Sequence, residues 1–290
     1  MKIAINNSLL LKHYSVEESL KLLKDAGFDG VDLSIHKMMQ EKYDIPVRWN
    51  GDHYLEEARK LGAYAKELGL SIVQAHGYVL DRHDDFEEVS FPRICRSIEI
   101  AAAAGAPYIL IPALSRGVYR GNEEAFFTSN MEFYGKLAPI AEKCGIKIAL
   151  ENTIAFDWAH FVQNHHVCSQ PEEFCKYIDT LNAQYGDLFV ACANLARMPL
   201  VGKEAEELLQ TVGDRVKLIH VSDNDYRKDN QTVPGYGALD FDRISAALKA
   251  ADFKGYYTLM ITSTLPKELL PSGIAHMAAI ARYWADQAEG

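Results

Sequence analysis

Several short apolar runs in this chain end on residues that can move protons or hold charge. KIALEN (147–152) ends on Glu151 and Asn152, LFVACAN (188–194) ends on Asn194, and SIVQAHG (71–77) carries His76. VKLIHVSD (216–223) carries His220 and ends on Asp223. A carboxylate closing an apolar run is costly to desolvate unless a ligand or a counter-charge meets it. Glu151 is therefore the first candidate for a catalytic base, and pairing with Lys217 or Arg197 is its structural alternative. His220 is the second catalytic candidate, against the ordinary outcome of a neutral core histidine with one satisfied nitrogen. His76 reads as a core or loop histidine or as a substrate contact. Arg197 offers a planar donor fork for a carboxylate or phosphate, which Arg227, Lys228 and Lys203 either assist or leave to bulk water as a solvated loop. Trp158, with Trp49, Tyr78 and Phe156, falls in predicted loops, where flat rings either cover a sugar or seal a subunit contact.

The elements that must carry these residues follow from the hydrophobic pattern. Ser15 and Glu18 form a capping box ahead of a helix marked by Val16, Leu20 and Leu23, which Gly27 closes before the apolar run GVDLSI at 30–35. The unit recurs down the chain. Helical spacing ending at Gly69, Gly105, Gly145, Gly213 and Gly255 precedes strands at 71–77, 108–114, 147–152, 216–223 and 256–262. A further helix through Phe174, Ile178 and Leu181 leads to 188–194. With KIAINNS at 2–8 and a last helix through Ile274, Met277, Ile280 and Trp284, the pattern predicts eight strand and helix pairs. That suits a closed parallel (β/α)8 TIM barrel occupying residues 1–290 as one domain. In such a barrel the carboxyl ends of the strands build the active face, so Glu151, Asn194, His220, Asp223 and His76 are expected to share one mouth.

Composition narrows the classes. The chain has 290 residues, 48% apolar and 24% charged, as in soluble globular proteins, so disordered and fibrous classes are excluded. Lys plus Arg number 30 against 40 Asp plus Glu, a formal net charge of −10, and this disfavours a nucleic-acid partner. The start lacks the pattern of a signal peptide and no long apolar stretch occurs, so the protein is expected in the cytoplasm with no membrane partner. Cys95, Cys144, Cys168, Cys175 and Cys192 include no C-x-x-C pair and read as buried thiols. Neither G-x-G-x-x-G after the first strand nor G-x-x-x-x-G-K-[ST] is present, which removes the main support for a dinucleotide or P-loop fold.

The segments LGLSIVQAHG, CGIKIALEN, RVKLIHVSDND and PGYGALDFDRISAALKAADFKGYYTL, in this order, resemble the xylose-isomerase-like barrel superfamily of sugar isomerases, sugar-acid epimerases and apurinic endonucleases. The resemblance spans nearly the whole chain. It implies one divalent metal (Mn, Mg, Zn or Co) held by Glu, Asp, His and Glu after strands five to eight, with two of the carboxylates shuttling a substrate proton. Position by position, Glu151 and His220 match. The family's D-x-x-H reads Asn194-Leu195-Ala196-Arg197, the last Glu falls near Met260, and the common G-E-G is Gly235-Tyr236-Gly237.

These departures predict a degraded metal site, with the ion weak or absent and Glu151 and His220 as its remnants. Asp157, His160, His165, His166 or Cys168 in the long loop after strand five are the candidates for rebuilding it. The expected function is a sugar, sugar phosphate or sugar acid isomerase or epimerase, without a metal. Glu151 would act as base, His220 or Asp223 would move a proton to oxygen, and Arg197 would stabilise an enediolate. A non-catalytic carbohydrate-binding or sensor barrel is the alternative, and an apurinic endonuclease, lacking its metal cluster and basic face here, a remote one. A homo-dimer or tetramer is expected from the resemblance.

Overall fold

The computed structural model describes residues 1–40, 46–79, 85–157, 162–262 and 265–289, with the side chains of 46, 47 and 162 left aside. Its strands are β1 (Ile3–Asn6), β2 (Gly30–Ser34), β3 (Ser71–His76), β4 (Tyr108–Leu110), β5 (Lys147–Glu151), β6 (Ile154–Asp157), β7 (Val162–His165), β8 (Phe189–Asn194), β9 (Val216–His220) and β10 (Tyr257–Leu259). The helices are α1 (Val16–Asp25), α2 (Ile35–Met38), α3 (Pro46–Asn50), α4 (Tyr54–Glu67), α5 (Phe91–Ala103), α6 (Glu123–Cys144), α7 (Pro171–Tyr185), α8 (Ala205–Val212), α9 (Phe241–Ala250) and α10 (Leu270–Glu289). All eight strands expected from the hydrophobic pattern are present.

They pair in parallel in the order β10-β1-β2-β3-β4-β5-β8-β9. The seam between β9 and β10 is drawn together by Val221 N donating to Thr258 O and Met260 N donating to Val221 O, both at 2.9 Å. The result is one (β/α)8 TIM barrel. The capping box of α1 is formed as expected: Ser15 Oγ accepts from Glu18 N at 3.2 Å and Ser15 N donates to Glu18 Oε2 at 2.8 Å. Gly145 ends α6 at φ 66, a left-handed conformation that a Cβ would strain.

The period of two along each strand separates two apolar layers. Ile148 and Leu150 of β5, Ala191 and Ala193 of β8, and Val31 and Leu33 of β2 belong to the large core between strands and helices. Ala149, Val190, Cys192 and Leu218 face the other way and, with Leu110, fill the barrel's own interior as a small separate cluster. Above that plug the inward positions turn polar: Glu151, Asn194 and His220 each stand two residues beyond an apolar inward neighbour.

Two expectations are corrected. The loop after β5 contains an antiparallel hairpin, β6 with β7, in which Ile154 pairs with His165 and Asp157 with Val162. The run IAFD, three apolar residues followed by Asp157, is too short and lacks the alternation that would signal a strand in the sequence. Trp49 lies in α3 rather than in a loop and is fully buried, so its ring packs the core and does not face a ligand. Among the described residues, no helix is long and apolar enough to cross a membrane.

Candidate active site

Glu151 ends β5 and is 8% exposed, which makes its charge expensive unless it is met. Both oxygens are met. Oε1 accepts from His220 Nδ1 at 2.6 Å and from Asn194 Nδ2 at 3.0 Å, while Oε2 accepts from Arg197 Nη1 at 2.6 Å. Burial alone would raise the pKa of Glu151; Arg197, then His220, overcome it and hold the carboxyl well below the usual carboxylate range. The counter-charge is Arg197 and not Lys217, whose side chain is exposed on β9.

Arg197 is placed by a short helical turn, Leu195–Arg197, directly after β8. Asn152 fixes that turn to the end of β5: its Nδ2 donates to Asn194 O at 3.0 Å and its Oδ1 accepts from Asn194 N at 2.7 Å. The guanidinium also donates to Asn152 O at 3.0 Å and, through Nε, to Asp229 Oδ2 at 3.0 Å. Burial works against its charge, but Glu151 and Asp229 hold the Arg197 pKa above that of a free guanidinium.

Below this pair lie Asp32 and two imidazoles. Asp32 sits in the middle of β2, fully buried, with His76 Nδ1 at 3.0 Å from Oδ1 and 2.8 Å from Oδ2. The second contact is the shorter, yet the first is the one with hydrogen-bond geometry, and among the described residues Oδ2 accepts no hydrogen bond. His220 Nε2 is 3.5 Å from the same Oδ2 and 2.8 Å from Gln74 Nε2. The His76 and His220 rings stack with centroids 5.0 Å apart and planes 16° apart. Burial opposes both charges: for Asp32 it is outweighed by His76 and His220, which pull the carboxyl down, and for His220 by Cys192, Glu151 and Asp32, which raise the imidazole.

The other expected site residues are placed as follows. Asn194 is buried, donating to Glu151, and its Oδ1 has no hydrogen-bond partner among the described residues. Asp223 is fully buried and spends its oxygens on the backbone amides of Asn224, Gly235, Gly237 and Leu239 at 2.8–3.1 Å, so it scaffolds the loop after β9 and is not placed to move a substrate proton. That geometry needs Gly237, because a Cβ there would stand 2.4 Å from Asp223 Oδ1. Arg227 is exposed, as is Lys228, and Lys203 pairs with Glu207. Trp158 and His160 lie outside the described residues. His166 stacks on Tyr119, Cys168 is buried under Glu173, and His165 meets Ser169 and Gln170.

Asp32, Gln74 and Asp229 belong to this cluster although the sequence pattern does not single them out. For Asp32 a signal existed: in GVDLS the outward Val31 and Leu33 bracket it, and an acid on the opposite phase of a buried strand must face the barrel interior.

Among the described residues, two groups have the spacing of metal ligands, Asp32 with His76 and His220, and Glu151 with Cys192 and His220, each with its atoms within 4.8 Å of one another. A cleft of about 640 Å³ opens beside the mouth, lined by Tyr78, Val79, Ile111, Arg116 and Phe156. A second of about 620 Å³, lined by Ser71, Tyr108, Lys217 and Phe253, lies at the opposite end where the strands begin, away from the carboxylates.

The family described as "Xylose isomerase-like TIM barrel" matches residues 20–280. An uncharacterized protein of Sinorhizobium fredii is 24% identical over 177 residues, covering 59% of this chain and 53% of that relative, so the match spans about half the relative's length. Among solved structures, a D-tagatose 3-epimerase-like protein superposes with a TM-score of 0.72 at 15% identity, over 99% of this chain and 97% of the other. IOLI protein with a binding zinc atom superposes at 0.71 and 19% identity, over 100% and 98%.

Proposed function

The chain belongs to the xylose isomerase-like TIM barrel family, and from that premise we propose that it is an isomerase or epimerase moving a proton within a small sugar, sugar phosphate or sugar acid, without a dication at Glu151. The observation that carries this reading is Arg197 Nη1 lying 2.6 Å from Glu151 Oε2. The ion that the family resemblance implies draws on three carboxylates and one imidazole. Glu151 and His220 remain of that set, bonded to each other, while Asn194 donates where an acid would accept and Met260 offers no charge. These residues do not fit that ion.

The guanidinium supplies the positive charge instead. A substrate oxygen that turns anionic in the reaction is met by Arg197, whose five donors serve a planar oxyanion. As the substrate draws the guanidinium toward itself, Glu151 Oε2 loses a donor and becomes the stronger base. Glu151 then takes the proton from the carbon beside the carbonyl and the C–H electron pair forms the enediolate; the Glu151 carboxyl, whose proton exchanges in part with water, protonates the neighbouring carbon while the proton of that carbon's partner hydroxyl passes to the former carbonyl oxygen. His220 holds Oε1 in place during the transfer. The flanking cleft with Tyr78 and Phe156 provides apolar walls for a sugar ring.

The test is deuterium incorporation from solvent into a panel of ketoses, aldoses, sugar phosphates and sugar acids, followed by NMR. Exchange on one class, falling by about 100-fold or more in Glu151→Gln, is the expected result; undiminished exchange in that variant refutes it. The full engagement of both Glu151 oxygens also favours a second reading, a sugar-binding barrel without catalysis. Thermal stabilisation by a panel member with no exchange in any of them would select it.

A further inference from the structure

Beneath the Glu151–Arg197 pair, three groups from β2, β3 and β9 converge on one point. Asp32 Oδ2 is 2.8 Å from His76 Nδ1 and 3.5 Å from His220 Nε2, and all three ligand-type atoms lie within 4.8 Å of one another. Asp32 and His220 are 0% exposed, and among the described residues Asp32 Oδ2 accepts no hydrogen bond. Gln74 Oε1 is likewise buried and has no hydrogen-bond partner among the described residues, while its amide nitrogen stands 2.8 Å from His220 Nε2. A half-turn of that amide exchanges its oxygen and nitrogen and aims a second orphaned oxygen at the same place.

Charge points the same way. Of the three carboxylates Asp32, Glu151 and Asp229, the Arg197 guanidinium meets the last two, and Asp32 faces the two imidazoles. A single dication balances the set with both rings neutral.

We propose that Asp32 Oδ2, His76 Nδ1 and His220 Nε2 bind one transition-metal dication of the zinc or cobalt class, with Gln74 Oε1 as a further ligand. Two imidazoles and one carboxylate suit such a borderline ion better than magnesium or calcium, which take oxygen ligands. Bonds of about 2.0–2.1 Å set neighbouring ligand atoms roughly 3.3 Å apart, close to the separations here. Glu151 becomes the outer carboxylate: it accepts the Nδ1–H of His220 at 2.6 Å, the contact by which a metal-binding histidine is oriented. Asp32, His76 and Gln74 lie outside the ligand set that the family resemblance implies, and the inference goes beyond the reaction proposed above, since the ion sits in the floor of the site.

The test uses the full chain stripped with a chelator, titrated with Zn²⁺ by calorimetry, and loaded with Co²⁺ for X-ray absorption. One ion per chain with two imidazole scatterers is expected. Affinity should fall about 100-fold or more in Asp32→Asn and in His76→Gln but only about tenfold in Glu151→Gln. No binding to the wild-type chain overturns the inference and leaves the ion-free reading of Glu151 standing. A single imidazole scatterer, or a loss in Glu151→Gln as large as in Asp32→Asn, puts the ion at Glu151 and overturns both. The absorption measurement on the wild-type chain needs no variant to fold.

Discussion

The barrel interior holds two layers built from the same strands and solved in opposite ways. In the lower layer Leu110, Ala149, Val190, Cys192 and Leu218 fill space with apolar volume. In the upper layer Asp32, His76, Glu151, Asn194, Arg197 and His220 fill it with charge and hydrogen bonds. On β5 the boundary is two residues, from Ala149 to Glu151, and on β9 it runs from Leu218 to His220. The lower layer is held by nondirectional packing, so each residue contributes nearly alone. The upper layer is held by directed pairs, in which removing one partner strands the other.

The sharpest way to break that contrast is Arg197→Ala. It leaves Glu151 and Asp229 without their shared cation, and unfolding in urea should show a loss of about 4 kcal/mol. Adding Glu151→Gln to it should recover part of that loss, because the stranded charge is gone; a double variant as unstable as the sum of the singles would mean the layer is not built from pairs. Leu110→Ala, at a side chain 1% exposed in the lower layer, should cost about 3 kcal/mol in the same measurement while leaving ligand-induced thermal shifts unchanged. The smallest effect is expected at Arg227, outside both layers. Arg227→Ala should leave the unfolding midpoint and the exchange rate where they are, and a clear drop in exchange would bring that loop back into the site.

Much of the frame is legible in the sequence. Alternating apolar strands and capped helices predict eight units, and Ser15 with Glu18 caps α1 as its spacing implies. Glu151, Asn194 and His220 were recognisable because an interruption in an apolar run demands a partner. Asp32 is hidden in the sequence because GVDLS reads as one buried run, although its alternation marks an inward acid. Asp229 escaped for a different reason: in a loop it is one polar residue among many, and only the path of the chain after β9 brings it to Arg197. Asp223 shows the converse, since an acid just past a strand end suits either a substrate or a ring of backbone amides, and the fold of residues 224–239 chose the amides.

Local pattern, acting through the periods of strand and helix, determined the barrel and which strand ends would carry polar groups. It could not determine who pairs with whom, because Coulomb energy and hydrogen bonding depend on separations between atoms 40 to 190 residues apart in the chain. The joining of Glu151 to Arg197 and of Asp32 to both histidines was decided only when the barrel brought β2, β3, β5, β8 and β9 around one axis.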